Sequence, residues 1–193
     1  MIDQLLARRS VGRVLPDRPP REVIERLLEA ASAAPSHHHT NPWRFIVVAG
    51  QAREKVGHHL REALRARLPD PNSPASAALL KKEETKLLRA PVVIVAAVRP
   101  SKAPGVIREE ELASGAAACQ NILLAAQAEG LGAMWRTGET AYDPAVREAL
   151  SLEPDDAIVG FIYVGYPDPA QPPPPRPPRR PWREMTQWWG WDE

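Results

Sequence analysis

The run PVVIVAAV at 91–98 constrains the fold more than any other stretch. It carries no polar residue on either alternating face, so the strand it forms must be covered on both sides. A chain holding such a strand needs helices packed on the two faces of a sheet. At 193 residues there is enough chain for one core of that kind. Flanking segments supply the layers. PREVIERLLEAASA (20–33) places Val23, Leu27, Leu28 and Ala31 at helical spacing behind Pro19 and Pro20. RFIVVA (44–49) is a short β-rich run, and residues 51–68 and about 77–89 read as charged helices parted by the breaker cluster PDPNSP. The longest helix is expected over Glu109–Glu129, with Leu112, Ala116, Cys119, Leu123 and Ala126 in its apolar line. Gly115, Ala117 and Ala118 keep much of its remaining surface small, which lets it lie close to its neighbours. Gly130 ends it. LGAMWRTG (131–138) reads as strand and turn, Pro144–Leu150 as a short helix, and AIVGFIYVGY (157–166) as a last core strand. Four strands alternating with helices give an α+β or α/β sandwich.

Composition changes sharply after residue 166. The stretch to Pro181 is dominated by proline and arginine and should run as an extended polyproline arm. Four of the six tryptophans (Trp182, Trp188, Trp189, Trp191) follow it, an apolar load that favours docking. The expected organisation is therefore a domain over 1–166 and an arm over 167–193 that packs on its own core or on a partner subunit.

Charge narrows the function. Lys plus Arg number 25 against 24 for Asp plus Glu, so no global field recruits nucleic acid or an anionic membrane, and any anion site must be local. The single cysteine, Cys119, forms no internal disulfide and sits on the apolar stripe of its helix, where it reads as core filler. No window approaches a spanning helix, and MIDQLLARRS has too short an apolar run for a signal peptide. The expectation is a soluble cytoplasmic protein without membrane or nucleic-acid partners.

Three local signals could carry chemistry. APSHHHTNPWRF (34–45) holds three histidines, but in an extended segment only His37 and His39 would share a face. No cysteine or acid in the stretch completes a zinc set, so no metal site is expected, and His58 and His59 read as surface residues. Arg8, Arg9 and Ser10, with Arg13 beyond, could grip a phosphate through guanidinium forks and a hydroxyl. They could equally complement a helix carboxyl end. EGLGAMWRTG (129–138) brings two glycines where backbone could approach a flat or charged group, or could simply turn the chain. GxGxxG, P-loop and GxSxG motifs are all missing.

Taken in order, these segments resemble the FMN-dependent nitroreductase family over about Leu5 to Pro181, and the small bacterial members in particular. The resemblance implies a nitroreductase-like α+β fold, with a central, mainly antiparallel sheet flanked by helices, and a homodimer that binds FMN at its interface. Arg8, Arg9 and Ser10 match the triplet that holds the flavin phosphate and ribityl chain. Pro35 and Ser36 match the loop beside the flavin, and His37 its polar contact. Trp135, Arg136 and Thr137 match the run beside the isoalloxazine, with Arg136 as the source of positive charge. Arg179, with Arg180 as competitor, matches an arm arginine that reaches the phosphate. Ala33 stands where the closest pattern has an arginine. The implied activity is ping-pong hydride transfer from NAD(P)H through FMN to nitro compounds, quinones or similar small acceptors, with no dedicated catalytic side chain and no metal. Other FMN reactions on the same scaffold, a low-turnover flavin-binding protein, and a PxxP-recruiting arm are the alternatives.

Overall fold

In a computed structural model, which describes residues 2–191, the apolar run becomes β2 (Val92–Val98), buried at all seven positions. It lies inside a four-stranded sheet of order β1-β2-β4-β3, made with β1 (Trp43–Ala49), β3 (Gly132–Arg136) and β4 (Ala157–Gly165). Every neighbouring pair is antiparallel, which makes the fold α+β. The helices are α1 (Ile2–Ala7), α2 (Arg21–Ser32), α3 (Ala52–Arg65), α4 (Pro74–Thr85), α5 (Arg108–Ala128) and α6 (Pro144–Ala149).

Strand alternation sends β2 side chains into two cores. Val92, Ile94 and Ala96 join Ile162 and Val164 of β4 beneath Leu27 and Ala31 of α2 and Ala118 and Ile122 of α5. Val93, Val95 and Ala97 join Phe161 and Tyr163 against Leu60 of α3, Leu87 and Val146 of α6. Each valine, leucine or isoleucine so buried contributes roughly 1.5–3 kcal/mol. The small-residue surface of α5 has the expected use. A Cβ on Gly115 would stand 2.5 Å from Val98 Cγ2 and 2.9 Å from Val159 Cγ2, so the helix backbone rests almost directly on the sheet.

One boundary in the charged middle differs from expectation. PDPNSP reads as a breaker, yet its last proline opens α4, and Ser73 caps that helix by accepting from Ser76 N at 3.2 Å. A proline in the first turn gives up no intrahelical donor, so a turn cluster can also be a helix start.

The end of β2 is tied to the approach to β4 by one ion pair. Arg99 Nε and Nη2 each donate at 2.9 Å to the Asp156 carboxylate, which also accepts from Glu153 N at 3.0 Å. The Asp156 side chain is wholly buried while Arg99 remains partly exposed. The Arg99 hydrogen bonds hold the Asp156 carboxyl below its ordinary range. A depressed carboxyl pKa stabilises the fold fully above about 3.9, the unfolded value, and the contribution disappears as pH falls through the lower folded value. Asp156→Ala should therefore cost about 1–3 kcal/mol near neutral pH. Urea unfolding of both proteins should show that difference shrinking in acid below the unfolded pKa; a constant difference would refute the role assigned to the pair.

Candidate functional site

The segment leaving α1 is pinned at several points. Val11 N donates to Ala133 O of β3 at 3.0 Å, Leu15 N to Tyr166 O at 2.8 Å, and Val14 makes an isolated antiparallel bridge with Pro167. The proline arm then returns alongside it. Prolines have no N–H to give, so the arm is held through its carbonyls and its arginines. Arg9 Nη2 donates to Pro174 O, and Arg176 Nη2 donates to Arg8 O.

Between arm, amino-terminal segment and sheet edge lies a cleft of about 950 Å³ whose lining includes seven arginines: Arg8, Arg9, Arg13, Arg89, Arg136, Arg176 and Arg179. Ser10 and Met134 line it too, and Asp168 is its only acid among the described residues. The Asp168 carboxylate is already engaged by Ala170 N and Gln171 Nε2, both at 2.9 Å. None of the seven arginines forms an ion pair with a carboxylate of the described residues; elsewhere six arginines (Arg21, Arg26, Arg61, Arg67, Arg99 and Arg180) are paired and seven are not. Burial, then the neighbouring Arg179 and Arg176, push the Arg8 pKa below its ordinary value. Arg8 Nη1 is buried without a hydrogen-bond partner among the described residues. A buried donor of that kind is costly until an acceptor reaches it, and a phosphate oxygen among several guanidiniums is the acceptor that suits it.

The cleft continues toward the sheet. Arg136, at the end of β3, places its Cζ 5.9 Å from the centroid of the Tyr163 ring. Burial pushes the Tyr163 phenol up to about 12, so it stays neutral and able to donate. Arg89 and Arg136 also line an adjoining pocket of about 530 Å³ with Thr137, Phe161 and Lys86. Burial lowers the Lys86 pKa; its ammonium is held by Glu83 and by Thr140 Oγ1, the latter at 2.8 Å.

Of the residues singled out from sequence, Arg8, Arg9, Ser10, Arg136 and Arg179 meet in this cleft, and Thr137 lies in the adjoining pocket. Arg180 turns away to Glu184 at 3.1 Å. Trp135 does not face the cleft: its Nε1 donates to Val159 O at 3.2 Å and its ring packs toward the α2–α5 core. Pro35, Ser36 and His37 also line no part of it. Pro35 O accepts from Ser114 Oγ at 2.5 Å, Ser36 Oγ from Asn41 N at 2.9 Å, and His37 Nε2 lies 2.7 Å from Glu110 Oε2. The histidine stretch is not extended. It is a 3₁₀ turn with His38 and His39 at φ of 51° and 53°, so the face-sharing expected of His37 and His39 does not hold. Ala33 is the carboxyl cap of α2. Cys119 is core, its thiol pushed up to about 12 by burial.

Sequence reasoning missed Arg89 and Arg176, and noted Arg13 without assigning it. A signal for Arg176 existed. Polyproline repeats every three residues, so Arg176 and Arg179 share one face of the arm. The tail tryptophans stay exposed on this chain, with Trp189 at 88%. Trp188 packs edge-on against Trp182 and tilted against Trp191, at centroid distances of 6.4 and 5.2 Å.

Comparison with known proteins gives a consistent result. The Nitroreductase family model matches residues 5–166. The Escherichia coli K12 protein named "Putative NAD(P)H nitroreductase YdjA" is 32% identical over 166 residues, covering 86% of this chain and 87% of its own. A nitroreductase-like family protein from Bacillus cereus superposes with a TM-score of 0.80 at 25% identity, over 98% of this chain and 95% of that one. A nitroreductase with bound FMN from Bacteroides fragilis shares the fold at a TM-score of 0.71 and 21% identity, over 92% and 94%.

The site depends on how β3 is seated. A Cβ at Gly160 would fall 2.0 Å from Trp135 Nε1 and 3.1 Å from Arg136 O. Gly160→Ala should displace the indole and β3 and cost about 1–3 kcal/mol by overpacking. Chemical denaturation measures this, and an unchanged midpoint and slope would mean that the indole does not rest on that glycine.

Proposed function

This chain belongs to the Nitroreductase family, and from that premise we propose that it is an FMN-dependent NAD(P)H oxidoreductase. In this reading it works as a homodimer and passes reducing equivalents to nitro compounds, quinones or similar small acceptors. The observation that carries the proposal is the Arg8 guanidinium, buried at Nη1 without a partner and surrounded by six more arginines without ion pairs among the described residues. Such a centre fits a phosphomonoester, which carries about −1.5 to −2 charges at neutral pH and several acceptor oxygens.

Bound FMN supplies the hydride chemistry. The chain's own residues supply binding and electrostatics. Arg8 and Arg9 of the amino-terminal segment and Arg176 and Arg179 of the arm would hold its phosphate, and Ser10 would add a hydroxyl donor. Arg136, placed over Tyr163, would supply positive charge to the flavin ring. Thr137 offers a hydroxyl beside it. Trp135 acts one step back: packed behind β3, it fixes the strand that carries Arg136.

The loop of Pro35, Ser36 and His37 lies apart from its own chain's cleft, which supports completion of the site by a second copy. Helix α1 supports the same reading. It buries none of its residues on its own chain, and Ile2 and Leu6 are 71% and 64% exposed. An apolar surface of this sort calls for a partner. His37, held by Glu110, would then present its ring to the partner's flavin.

Purified protein should show a flavin absorbance spectrum with about one FMN per chain, sediment as a dimer, and oxidise NADH or NADPH with a nitroaromatic or quinone. Arg8→Gln should weaken FMN binding by about 10- to 100-fold, through loss of charge-assisted bonds in a partly buried site. Colourless protein that takes up no added FMN would remove the proposal.

A further inference from the structure

The arginine cleft and the pocket of about 530 Å³ beside it meet at Arg89 and Arg136, which line both. We propose that this pocket receives the electron acceptor, and that the Tyr163 hydroxyl is the donor that binds the acceptor's reducible oxygen. This rests on the oxidoreductase reading above and deepens it by giving the acceptor a site and a chemical requirement. The pocket's size falls within the roughly 300–1,000 Å³ of small-molecule sites.

Tyr163 stands on β4, between Val93 of β2 and Met134 of β3. Alternation along the strand sends its ring to the same side as Phe161, into the core made with Leu60 and Leu87. The residue is 6% exposed, and that remainder lies in the pocket lining. Its hydroxyl exchanges no hydrogen bond with any described residue, although a phenol so nearly buried ordinarily has a partner.

The pocket's own groups do not supply one. Of its two carboxylates, Glu83 accepts from Lys86 Nζ and from Thr140 Oγ1, the latter at 2.5 Å, and Glu139 pairs with Arg67 Nη1 at 3.3 Å. Lys82, Arg89 and Arg136 can only donate. A free hydroxyl set among fixed donors is satisfied when a ligand brings an oxygen. Five cationic side chains line the pocket against those two carboxylates, so the same place favours an oxygen that gains negative charge as electrons arrive.

Burial pushes the Tyr163 phenol up to about 12, so it keeps its proton. Reduction of a quinone to its hydroquinone takes one hydride equivalent, which originates in NAD(P)H, and one proton from water. The phenol contributes a hydrogen bond and no covalent step. That bond is stronger to the charged oxygen of the transition state than to the neutral oxygen of the bound acceptor. The acceptors that suit the site are quinones, nitro compounds and other molecules whose electrons arrive on or beside an oxygen.

The test uses full-length, FMN-loaded protein and Tyr163→Phe, which removes one oxygen from the side chain. We expect kcat/KM for menadione and for nitrobenzene to fall about tenfold or more. Ferricyanide, which has no carbonyl or nitro oxygen to bind, should be reduced as before. Calorimetry on the oxidised protein, with no nucleotide and hence no turnover, should show nitrobenzene binding about twofold to tenfold more weakly to the variant. FMN affinity, and the rate at which NAD(P)H bleaches the bound flavin, should hold. Unchanged kcat/KM for menadione and nitrobenzene overturns the inference, and so does an equal loss with ferricyanide. A variant that binds FMN more weakly, or whose flavin is reduced more slowly in the same proportion, assigns the hydroxyl to the flavin; that overturns the inference and leaves the oxidoreductase reading intact. Failure of the unaltered protein to take up FMN or to oxidise either nucleotide overturns that reading, and this inference with it.

Discussion

The two-sided burial of β2 is the constraint on which the rest of the structure depends. A strand with no polar face can exist only between two helical layers, so α2 and α5 must cover one side and α3, α6 and the Leu87 turn the other. With β2 flanked by β1 and β4, β3 is left at the sheet edge beyond β4. An edge strand has one row of backbone groups with no strand opposite, and here Ala133 O accepts from Val11 N of the amino-terminal segment. That bond places Arg8 to Arg13 beside the sheet. The place of the basic cleft thus follows from the core, starting at PVVIVAAV.

The cleft concentrates like charge, which needs a physical explanation. Guanidiniums crowded together repel, and burial of Arg8 adds a desolvation cost. Backbone carbonyls offset part of both. Pro174 O receives Arg9 and Arg8 O receives Arg176, so two of the seven arginines hold their neighbours' backbones rather than carboxylates. A carbonyl satisfies a donor without cancelling its charge. The result is a site that stays positive while remaining hydrogen-bonded, and this separates it from the neutralised pairs such as Arg99–Asp156 elsewhere on the molecule.

How much of this was legible in the sequence depended on the range of the interaction. Strand β2 and the close-packed face of α5 follow from local pattern alone, and the Arg8-Arg9-Ser10 run is visible there as a candidate only. Alternation along β3 was legible too. Consecutive strand residues face opposite ways, so Trp135 and Arg136 cannot both point at one ligand, and the structure puts the indole toward the α2–α5 core and the guanidinium in the cleft. The three-residue period of polyproline likewise contains Arg176. Arg89 carries no such signal. It follows α4 in a short 3₁₀ turn and comes to line the same cleft as Arg8 only through tertiary packing. The histidine loop was misread because an extended chain was assumed, whereas His38, His39 and Asn41 all take positive φ, a region in which Asn and His are enriched.

The chain also separates its candidate ligand-binding parts by element. The basic cleft is built from both ends of the sequence, the segment after α1 and the arm after β4, while the histidine loop is anchored to the first turns of α5 through Ser114 and Glu110. Nothing within one chain draws these parts together, since His37 spends its Nε2 on Glu110 and Pro35 its carbonyl on Ser114. A ligand that needed both would bind across two copies, and ligand occupancy and association would then be thermodynamically linked, each strengthening the other by the same free energy. On that reading the exposed apolar side chains of α1 and the unneutralised arginines of the cleft are one arrangement: the first waits for the second chain and the second for the anion that both chains enclose.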